Sequence, residues 1–322
     1  MPLFTALVIL VSLLVVSLLI AGLLYQTIVS TIEARRYPPP GTLIDVGGYR
    51  LHLYCTGTAK PGVPTVILEA GLGGTCLSWG KVQPQIEQVT RVCSYDRAGY
   101  GWSDPGPTPR TSQRIVAELH TVLQRAEIPG PYILVGHSLG GVNVRLYAAT
   151  YPDEVAGLVL VDAANEGAVE NLPAPGRTAV VKQNIRQLVW YLAASLGLVR
   201  LAFKAGFSAQ TIKSYPYALQ PMVTMHFAQA KSARARDDEA MAVRESFAQV
   251  RATRSQLSNL PLVVVSAGRG GPSTPWMEQQ RDLASLSSQS TSIIAGHSGH
   301  RIQFDQPELV VQAITSLLSR EG

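Results

Sequence analysis

The chain opens on a long apolar segment, with no charged side chain before Glu33. From Leu3 to Leu24 almost every residue is apolar, and at ~1.5 Å per residue a helix of this length crosses ~30 Å of hydrocarbon. We therefore predict a transmembrane helix over residues 1–32. A cleaved signal peptide is the alternative, but no basic region precedes the apolar residues, and their run exceeds the usual ~7–15 residues.

A short linker is predicted over residues 33–41, because Tyr37-Pro38-Pro39-Pro40-Gly41 cannot continue a helix and is typical of a stiff spacer. The positive side chains beside the apolar segment are Arg35 and Arg36. By the positive-inside rule they favour a cytoplasmic position for the rest of the chain. Two arginines are too few to decide on which side of the membrane the rest of the chain lies.

The chain then alternates short β-branched runs with stretches of helical periodicity. The predicted strands are Thr42–Val46, Arg50–Cys55, Thr65–Glu69, Arg91–Tyr95, Tyr132–Val135, Leu158–Val161, Pro261–Ser266 and Ser290–Ile294. The predicted helices are Trp79–Val89, Ser112–Ala126, Leu139–Tyr151, Gln183–Phe203, Asp237–Ser255, Pro275–Leu286 and Pro307–Leu318. Such alternation predicts a mostly parallel sheet covered by helices on both faces.

The alternation breaks over residues 165–259, where no strand pattern appears and the two predicted helices Gln183–Phe203 and Asp237–Ser255 lie. We predict that this segment is a helical cap, inserted into a core formed by residues 42–164 and 260–322. Open α/β sheets bind ligands at the carboxyl ends of their strands, so the cap is expected over that edge.

Composition excludes several classes of protein. The chain has 322 residues, of which 46% are hydrophobic, enough for a sizeable core. Its formal net charge is +5, but no basic run is longer than Arg35-Arg36, which argues against nucleic-acid binding. The cysteines and histidines lack the usual metal-ligand spacings, and no phosphate-binding glycine motif follows the first strand. We expect neither a metal nor a cofactor.

The candidate nucleophile is Ser138, in Gly136-His137-Ser138-Leu139-Gly140-Gly141. This motif follows an apolar strand and opens a helix, the context in which G-x-S-x-G forms a nucleophile elbow. The small residues two before and two after the serine are needed because the turn is sharp and strained.

A serine nucleophile needs a histidine as base. For His52, His120, His137 and His226 a structural role is the better interpretation. Two candidates remain, His297 and His300, in the loop after the last strand.

Three segments, Gly136–Gly141, Tyr95–Asp104 and Ser298-Gly299-His300 ahead of Asp305-Gln306-Pro307-Glu308, together resemble the α/β-hydrolase superfamily. The resemblance covers Thr42 to about Arg320. It implies an α/β-hydrolase fold, with a mostly parallel eight-stranded sheet flanked by helices, to which the cap and the transmembrane helix are added. In this family the histidine of the Ser-Gly-His motif is the general base, which falls on His300.

The same resemblance bears on four other residues. Asp96 is expected to order its loop rather than to react. The fold also pairs the strand that bears Cys55 with the strand that bears Cys93, so these two cysteines could be close enough to form a disulfide. If they do, the bond would favour a position of the soluble domain outside the cytosol. Buried free thiols, with Cys76 as the third, are the alternative.

An oxyanion needs two N–H donors. We expect the backbone N–H of Leu139, at the start of its helix, and that of Leu72, in Ala70-Gly71-Leu72-Gly73-Gly74. A flexible glycine-rich turn without a catalytic role is the alternative for Leu72.

The acid that orients the histidine departs from the family pattern, because Ala267-Gly268-Arg269-Gly270-Gly271-Pro272 holds no carboxylate after the penultimate strand. Another position used in the superfamily, as in haloalkane dehalogenases, is the end of the strand before the cap, where Asp162 lies. Glu166, Glu278 or no acid at all are the alternatives.

These residues predict a membrane-anchored serine hydrolase that cleaves a carboxylic ester or related acyl bond. Dehalogenases and epoxide hydrolases of the superfamily use an aspartate where this chain has Ser138. The apolar cap stretch Leu188–Leu192 could line an acyl pocket, touch the bilayer or pack internally, so the expected partner is a small-molecule or lipid-like acyl substrate. An acyltransferase or a non-catalytic binding protein remain alternatives, and the oligomeric state is open.

Overall fold

A computed structural model of the protein describes residues 2–169, 177–269 and 274–319. Its strands are β1 Thr42–Asp45, β2 Arg50–Thr56, β3 Thr65–Glu69, β4 Val92–Asp96, β5 Tyr132–His137, β6 Val155–Val161, β7 Leu262–Ala267 and β8 Ser290–Ala295. They form one sheet in the order β1-β2-β4-β3-β5-β6-β7-β8. The first two pairings are antiparallel, and the pairings from β4 to β8 are parallel. The predicted mostly parallel, eight-stranded α/β-hydrolase fold is confirmed.

Helices flank and cap this sheet. They are α1 Pro2–Arg36, α2 Gln83–Ile86, α3 Ser112–Arg125, α4 Leu139–Thr150, α5 Arg177–Ser195, α6 Leu198–Lys204, α7 Ala209–Lys213, α8 Gln220–Phe227, α9 Ala230–Arg251, α10 Pro275–Ala284, α11 Ile302–Asp305 and α12 Pro307–Leu318. Short 3₁₀ turns add to these, among them Cys76–Trp79 and Glu166–Val169.

The central strands are buried on both faces, as the continuous apolar runs of a parallel sheet require. Successive side chains of a strand point to opposite faces. On β5, Leu134 therefore joins a core with α3 and α4, whereas Ile133 and Val135 join a second core with α12. The two cores pack the sheet between its helix layers and fix the positions of its strand ends.

The membrane-helix prediction and the structure differ at one end. α1 continues to Arg36 rather than ending at residue 32, because Glu33 pairs with the buried Arg200 and gives the last turn a tertiary partner. The linker therefore begins at Tyr37. The first residue, Met1, lies outside the described residues.

Within the predicted cap, the helices differ in their bounds. The helix predicted over Gln183–Phe203 is broken at Gly197, which has a φ of +73° and separates α5 from α6. The second predicted helix, Asp237–Ser255, begins earlier, as α9. Residues 170–176, at the start of the cap, and residues 270–273, in the loop expected to lack an acid, lie outside the described residues.

The early helix predicted over Trp79–Val89 is also divided. The structure has the 3₁₀ turn Cys76–Trp79 and the four-residue α2 there. Gly80 closes the turn, and Pro84 fits only the first turn of a new helix.

A disulfide joins Cys55 on β2 to Cys93 on β4. The two residues are register partners across the antiparallel pair, with their Cα atoms 4.0 Å apart. Cys76 is a buried free thiol. A disulfide is typical of proteins outside the cytosol. It therefore argues against the cytoplasmic position that Arg35 and Arg36 weakly favour.

Candidate active site

Ser138 lies on the turn between β5 and α4, with φ 53° and ψ −121°. Such a backbone conformation is strained for a residue with a side chain and is retained only where the surroundings enforce it. A Cβ atom at Gly136 would lie 2.6 Å from the carbonyl oxygen of Gly140, and one at Gly140 would lie 2.5 Å from that of Glu69. The flanking glycines thus allow the close packing that holds the serine at the strand end.

His300 and Asp162 lie in line with this serine. Nε2 of His300 is 3.0 Å from Oγ of Ser138, and Nδ1 of His300 is 2.6 Å from Oδ2 of Asp162. The other oxygen of Asp162 accepts hydrogen bonds from the N–H of Ala267, at 2.9 Å, and from Nε1 of Trp276, at 2.8 Å. These donors compensate the burial of a carboxylate that is 1% exposed.

The other candidates for the acid are engaged elsewhere or exposed. Glu166 is buried in an ion pair with Arg145 at 2.8 Å and a second with Arg254. Glu278 lies on α10 and is exposed. The alternative base, His297, is exposed, and its backbone N–H donates to Gln306. The structure therefore brings Asp162 and His300 to Ser138.

The loop that carries Leu72 passes directly over Ser138. A Cβ atom at Gly71 would lie 2.8 Å from Nδ1 of His137 and 3.0 Å from Cβ of Ser138, so this close approach requires glycine. Leu139 begins α4, where its N–H is one of the free donors of the helix terminus. The two expected oxyanion donors therefore lie on segments that adjoin the serine.

Arg97 holds the Leu72 loop through two backbone carbonyl groups. Its guanidinium donates to the carbonyl oxygens of Ala70, at 2.6 Å, and Gly71, at 2.9 Å. In a trans peptide the N–H points opposite to the C=O of the preceding residue. Because the Gly71 carbonyl points toward Arg97, the N–H of Leu72 points away from it.

Two buried carboxylates hold Arg97 in turn. Nη1 lies 2.7 Å from Glu69 at the end of β3, and Nε lies 2.7 Å from Glu239 on the cap helix α9. Sequence reasoning missed Arg97, although the residue stands in the Tyr95–Asp104 segment on which the family resemblance rests. It joins the cap to the loop that crosses the site.

His137, for which the sequence predicts a structural role, also contacts the site. Its Nε2 lies 2.9 Å from the carbonyl oxygen of His300. Burial, together with the neighbouring His300, lowers the pKa of His137 to about 4. The ring is therefore neutral near pH 7, and it donates this hydrogen bond to the loop that carries His300.

Two cavities meet at Ser138 and His300. One, of about 600 Å³, is also bordered by Arg269 and Trp276. The other, of about 390 Å³, extends beneath the Leu72 loop. Its apolar and aromatic lining comes from both the core and the cap: Leu72, Tyr215, Phe227 and Phe304. The serine thus borders both cavities.

Three further side chains, His52, Cys76 and Asp96, form a buried group whose donor atoms lie within 4.8 Å of one another. These side chains bond to one another and to nearby backbone groups. His52 pairs with Asp96 at 2.9 Å and accepts a hydrogen bond from the N–H of Gly41. Asp96 also accepts one from the N–H of Cys76. Asp96 thus connects several loops, the role predicted for it.

Comparison with known proteins gives matches over most of the chain. A family model described as alpha/beta hydrolase fold matches residues 64–307. An uncharacterized protein of Schizosaccharomyces pombe is 28% identical over 246 residues, which are 74% of this chain and 43% of that protein. The uncharacterized protein YqjL of Bacillus subtilis is 26% identical over 254 residues, which are 78% of this chain and 81% of YqjL. The chain thus spans less than half of the length of the first relative.

Solved structures resemble the chain in fold. An enol-lactonase from Burkholderia xenovorans has a TM-score of 0.63 and 18% identity, covering 86% of this chain and 100% of its own. A thermophilic esterase from Thermogutta terrifontis has a TM-score of 0.61 and 22% identity, covering 87% and 97%. The Cif epoxide hydrolase from Acinetobacter nosocomialis has a TM-score of 0.67 and 18% identity, covering 86% and 88%. At these identities the likeness is one of fold.

Proposed function

The chain belongs to the α/β-hydrolase family, and from that premise we propose that it is a serine hydrolase that cleaves a carboxylic ester through an acyl-enzyme intermediate. One observation carries the proposal. Ser138, His300 and Asp162 are linked by distances of 3.0 and 2.6 Å at the carboxyl ends of parallel strands. This is the order of nucleophile, base and orienting acid in a serine hydrolase.

The reaction follows from the atoms in contact. Nε2 of His300 takes the proton of Ser138 Oγ as that oxygen attacks the carbonyl carbon. Asp162 holds Nδ1–H and stabilises the imidazolium that forms. His300 then gives the proton to the departing alcohol. A water molecule, deprotonated by the same nitrogen, attacks the acyl-enzyme, and His300 then returns the proton to Oγ of Ser138 as the bond to the acyl group breaks and the acid is released.

The N–H groups of Leu139 and Leu72 are proposed to donate to the oxyanion of each tetrahedral intermediate. Leu139 lies at the start of α4, where the helix dipole favours a negative charge. The N–H of Leu72 points away from Arg97, because Arg97 holds the carbonyl oxygen of Gly71 in the same peptide.

The nucleophile also separates this proposal from epoxide hydrolysis. Epoxide hydrolases and dehalogenases of the superfamily begin by attack of an aspartate carboxylate, whereas this chain has Ser138 at that turn. The apolar cavity beneath Leu72 favours a small-molecule or lipid-like acyl group. Transfer of the acyl group to an alcohol or amine would use the same residues. Product analysis with and without an added alcohol tests for it.

We also propose that α1 anchors the enzyme in a membrane and is retained in the mature protein. Residues Leu3–Arg36 form one helix that is long and apolar enough to span a bilayer. Its last turns carry Glu33, which pairs with Arg200 of α6, a side chain that is 1% exposed. Cleavage of the helix would leave this buried arginine without that carboxylate, which is costly.

Labelling with a fluorophosphonate, which reacts with activated serines, tests the proposed function. We expect the full-length protein to be labelled and Ser138→Ala to remain unlabelled. The matched control is Ser78→Ala, a buried serine that lines the same cavity and is expected to keep full labelling. Absence of labelling in folded wild-type protein would contradict the proposal and favour a non-catalytic binding protein.

A further inference from the structure

The cap presents an apolar face that its own helices leave uncovered. On α5, five large apolar side chains are between 49% and 60% exposed: Val181, Ile185, Leu188, Val189 and Leu192. Their spacing of three and four residues places them on one side of the helix. We call this set the α5 stripe. A soluble surface seldom leaves such a contiguous apolar stripe open to water.

The carboxyl end of α5 lies against α1 at the level of its apolar span. A Cβ atom at Gly22 would lie 2.9 Å from the carbonyl oxygen of Leu196, and one at Gly197 would lie 2.6 Å from the ring of Tyr25. Gly22 falls within the uncharged stretch that precedes the first polar side chain of this region, Gln26. The cap therefore meets α1 at a depth where hydrocarbon is expected to begin.

Polar contacts hold the cap against α1 beyond the carboxyl end of its apolar span. Arg200 on α6 pairs with Glu33, and its Nε donates to Oε1 of Gln26 at 3.2 Å. Nε2 of Gln26 donates in turn to the carbonyl oxygen of Ala228, after α8. Because these groups are partly or wholly buried, α1 and the cap form one packed unit, and the position of α1 in a bilayer determines how the cap faces that bilayer.

The charge of the cap also favours contact with a membrane surface. From Asn171 to Arg236 the sequence holds nine lysines and arginines and no aspartate or glutamate. Lys182 and Arg186 on α5 are exposed and directly follow two residues of the stripe, Val181 and Ile185, so they lie along one of its borders. An apolar face with a basic border is the pattern of helices that lie in the interface of an anionic membrane.

We propose that the α5 stripe is a membrane-binding face, which inserts into the headgroup and acyl boundary of the same bilayer that α1 spans. The occupant is a lipid surface with anionic headgroups. The proposal rests on the anchoring by α1 proposed above, and it does not depend on the esterase chemistry. A second copy of this chain or another protein could also cover an apolar stripe, and the experiment separates these occupants from lipid.

The experiment uses the full-length protein in nanodiscs that contain phosphatidylglycerol and phosphatidylcholine. An environment-sensitive fluorophore is attached to Leu188→Cys or, in a separate protein, to Leu192→Cys. The three native cysteines are a disulfide pair and a buried thiol, so the introduced thiol is the reactive one. The control is Ser316→Cys on α12. Ser316 is exposed beside Leu317, whose side chain contacts Gly157 at the amino-terminal edge of the sheet, opposite the cap.

Lipids brominated in their acyl chains quench fluorophores that lie within the bilayer. We expect quenching at positions 188 and 192 to be at least about threefold stronger than at 316, since an interfacial helix buries its apolar face ~5–10 Å deep. We also expect it to weaken in pure phosphatidylcholine. Equal quenching at all three positions would overturn the proposal, including the case in which the labels are shielded by a protein partner. Fluorophosphonate labelling of the same samples reports separately on the proposed function.

Discussion

Oδ2 of Asp162 lies 2.6 Å from Nδ1 of His300, although Asp162 follows β6 and His300 follows β8. The carboxylate bridges the strand between them, because its other oxygen accepts the N–H of Ala267, the last residue of β7. An acid from the end of β6 thus reaches the end of β7, where the described part of the loop, through Arg269, has no carboxylate.

This relationship predicts the effect of Asp162→Asn on catalysis. The amide cannot stabilise the imidazolium and favours the wrong tautomer of His300, so we expect kcat to fall by roughly 10³–10⁴-fold with the fold intact. Steady-state kinetics with a soluble short-chain ester measure the change. Glu278→Gln is the control, since this exposed acid on α10 should leave kcat unchanged. A large loss in Glu278→Gln and a small one in Asp162→Asn would reverse the assignment.

Arg97→Lys is predicted to lower kcat with little change in KM. A lysine donates from a single nitrogen and cannot hold the carbonyls of Ala70 and Gly71 together with both carboxylates. The N–H of Leu72 would then lose its fixed direction, and loss of one oxyanion donor costs roughly 10²–10³ in kcat. We expect a decrease of about 10²-fold.

The control for Arg97 is Arg110→Lys. Both arginines are 2% exposed and pair with buried carboxylates, but Arg110 bonds Glu118 on α3, away from the serine. This substitution should lower the melting temperature and leave kcat within about twofold, because the pair does not touch the site. If both variants lost kcat equally, Arg97 would have only a structural role.

The contrast between Ser138 and Arg97 shows what could be predicted from sequence. The elbow is a local pattern of glycines around one serine, so sequence alone located it and the strand that precedes it. Arg97 acts through Glu69 and Glu239, which lie 28 and 142 residues away. The pairing of β3 with β4 brings Glu69 to Arg97, and the packing of α9 against the core adds Glu239. The roles of Ser138, His300 and Asp162 stay predictions until the variants are measured.

The docking of α1 was beyond prediction for the same reason. The apolar pattern predicted a membrane-spanning helix, but the partner of Glu33 is Arg200, 167 residues later. The predicted and observed helix bounds also differ at Gly197. Its left-handed backbone conformation divides a continuous helical pattern into α5 and α6.

His226 predicts how stability depends on pH. Burial lowers its pKa from 6.5 to about 4, and neither ring nitrogen has a hydrogen-bond partner within the described residues. Because the unfolded chain then binds more protons between pH 6.5 and 4, the stability contributed by the neutral ring is present above pH 6.5 and is lost as the pH falls.

His226→Phe should reduce this acid sensitivity. The phenyl ring can keep the edge contact with Trp102, whose ring centroid lies 4.4 Å away. At pH 5, the loss of stability relative to pH 7 should be about 2 kcal/mol smaller than in the wild type. Chemical unfolding in detergent across this pH range measures it. An unchanged pH dependence would show that His226 is hydrated or paired in the folded protein.

The Cys55–Cys93 disulfide is predicted to stabilise the folded protein. It closes a segment of 38 residues, for which chain entropy predicts about 3–4 kcal/mol. The double variant Cys55→Ala/Cys93→Ala should therefore melt at a lower temperature, and reductant should lower the melting temperature of the wild type but not of the variant. Cys76→Ala, which removes the free thiol, should leave the response to reductant intact. If reductant had no effect on the wild type, the two thiols would not be joined.

The contact between Arg200 and Glu33 provides the last test, because the proposed membrane-binding face depends on it. Arg200→Glu places a second negative charge beside Glu33 and should lower the free energy of unfolding by at least about 2 kcal/mol, since breaking a buried ion pair leaves one charge unpaired. The reversed pair Arg200→Glu/Glu33→Arg should recover part of the loss, because it restores opposite charges. Thermal unfolding of the full-length variants in nanodiscs gives the interaction energy as a double-mutant cycle. Independent, additive losses would mean that α1 does not dock on the cap, and the α5 stripe would then have no fixed position relative to the bilayer.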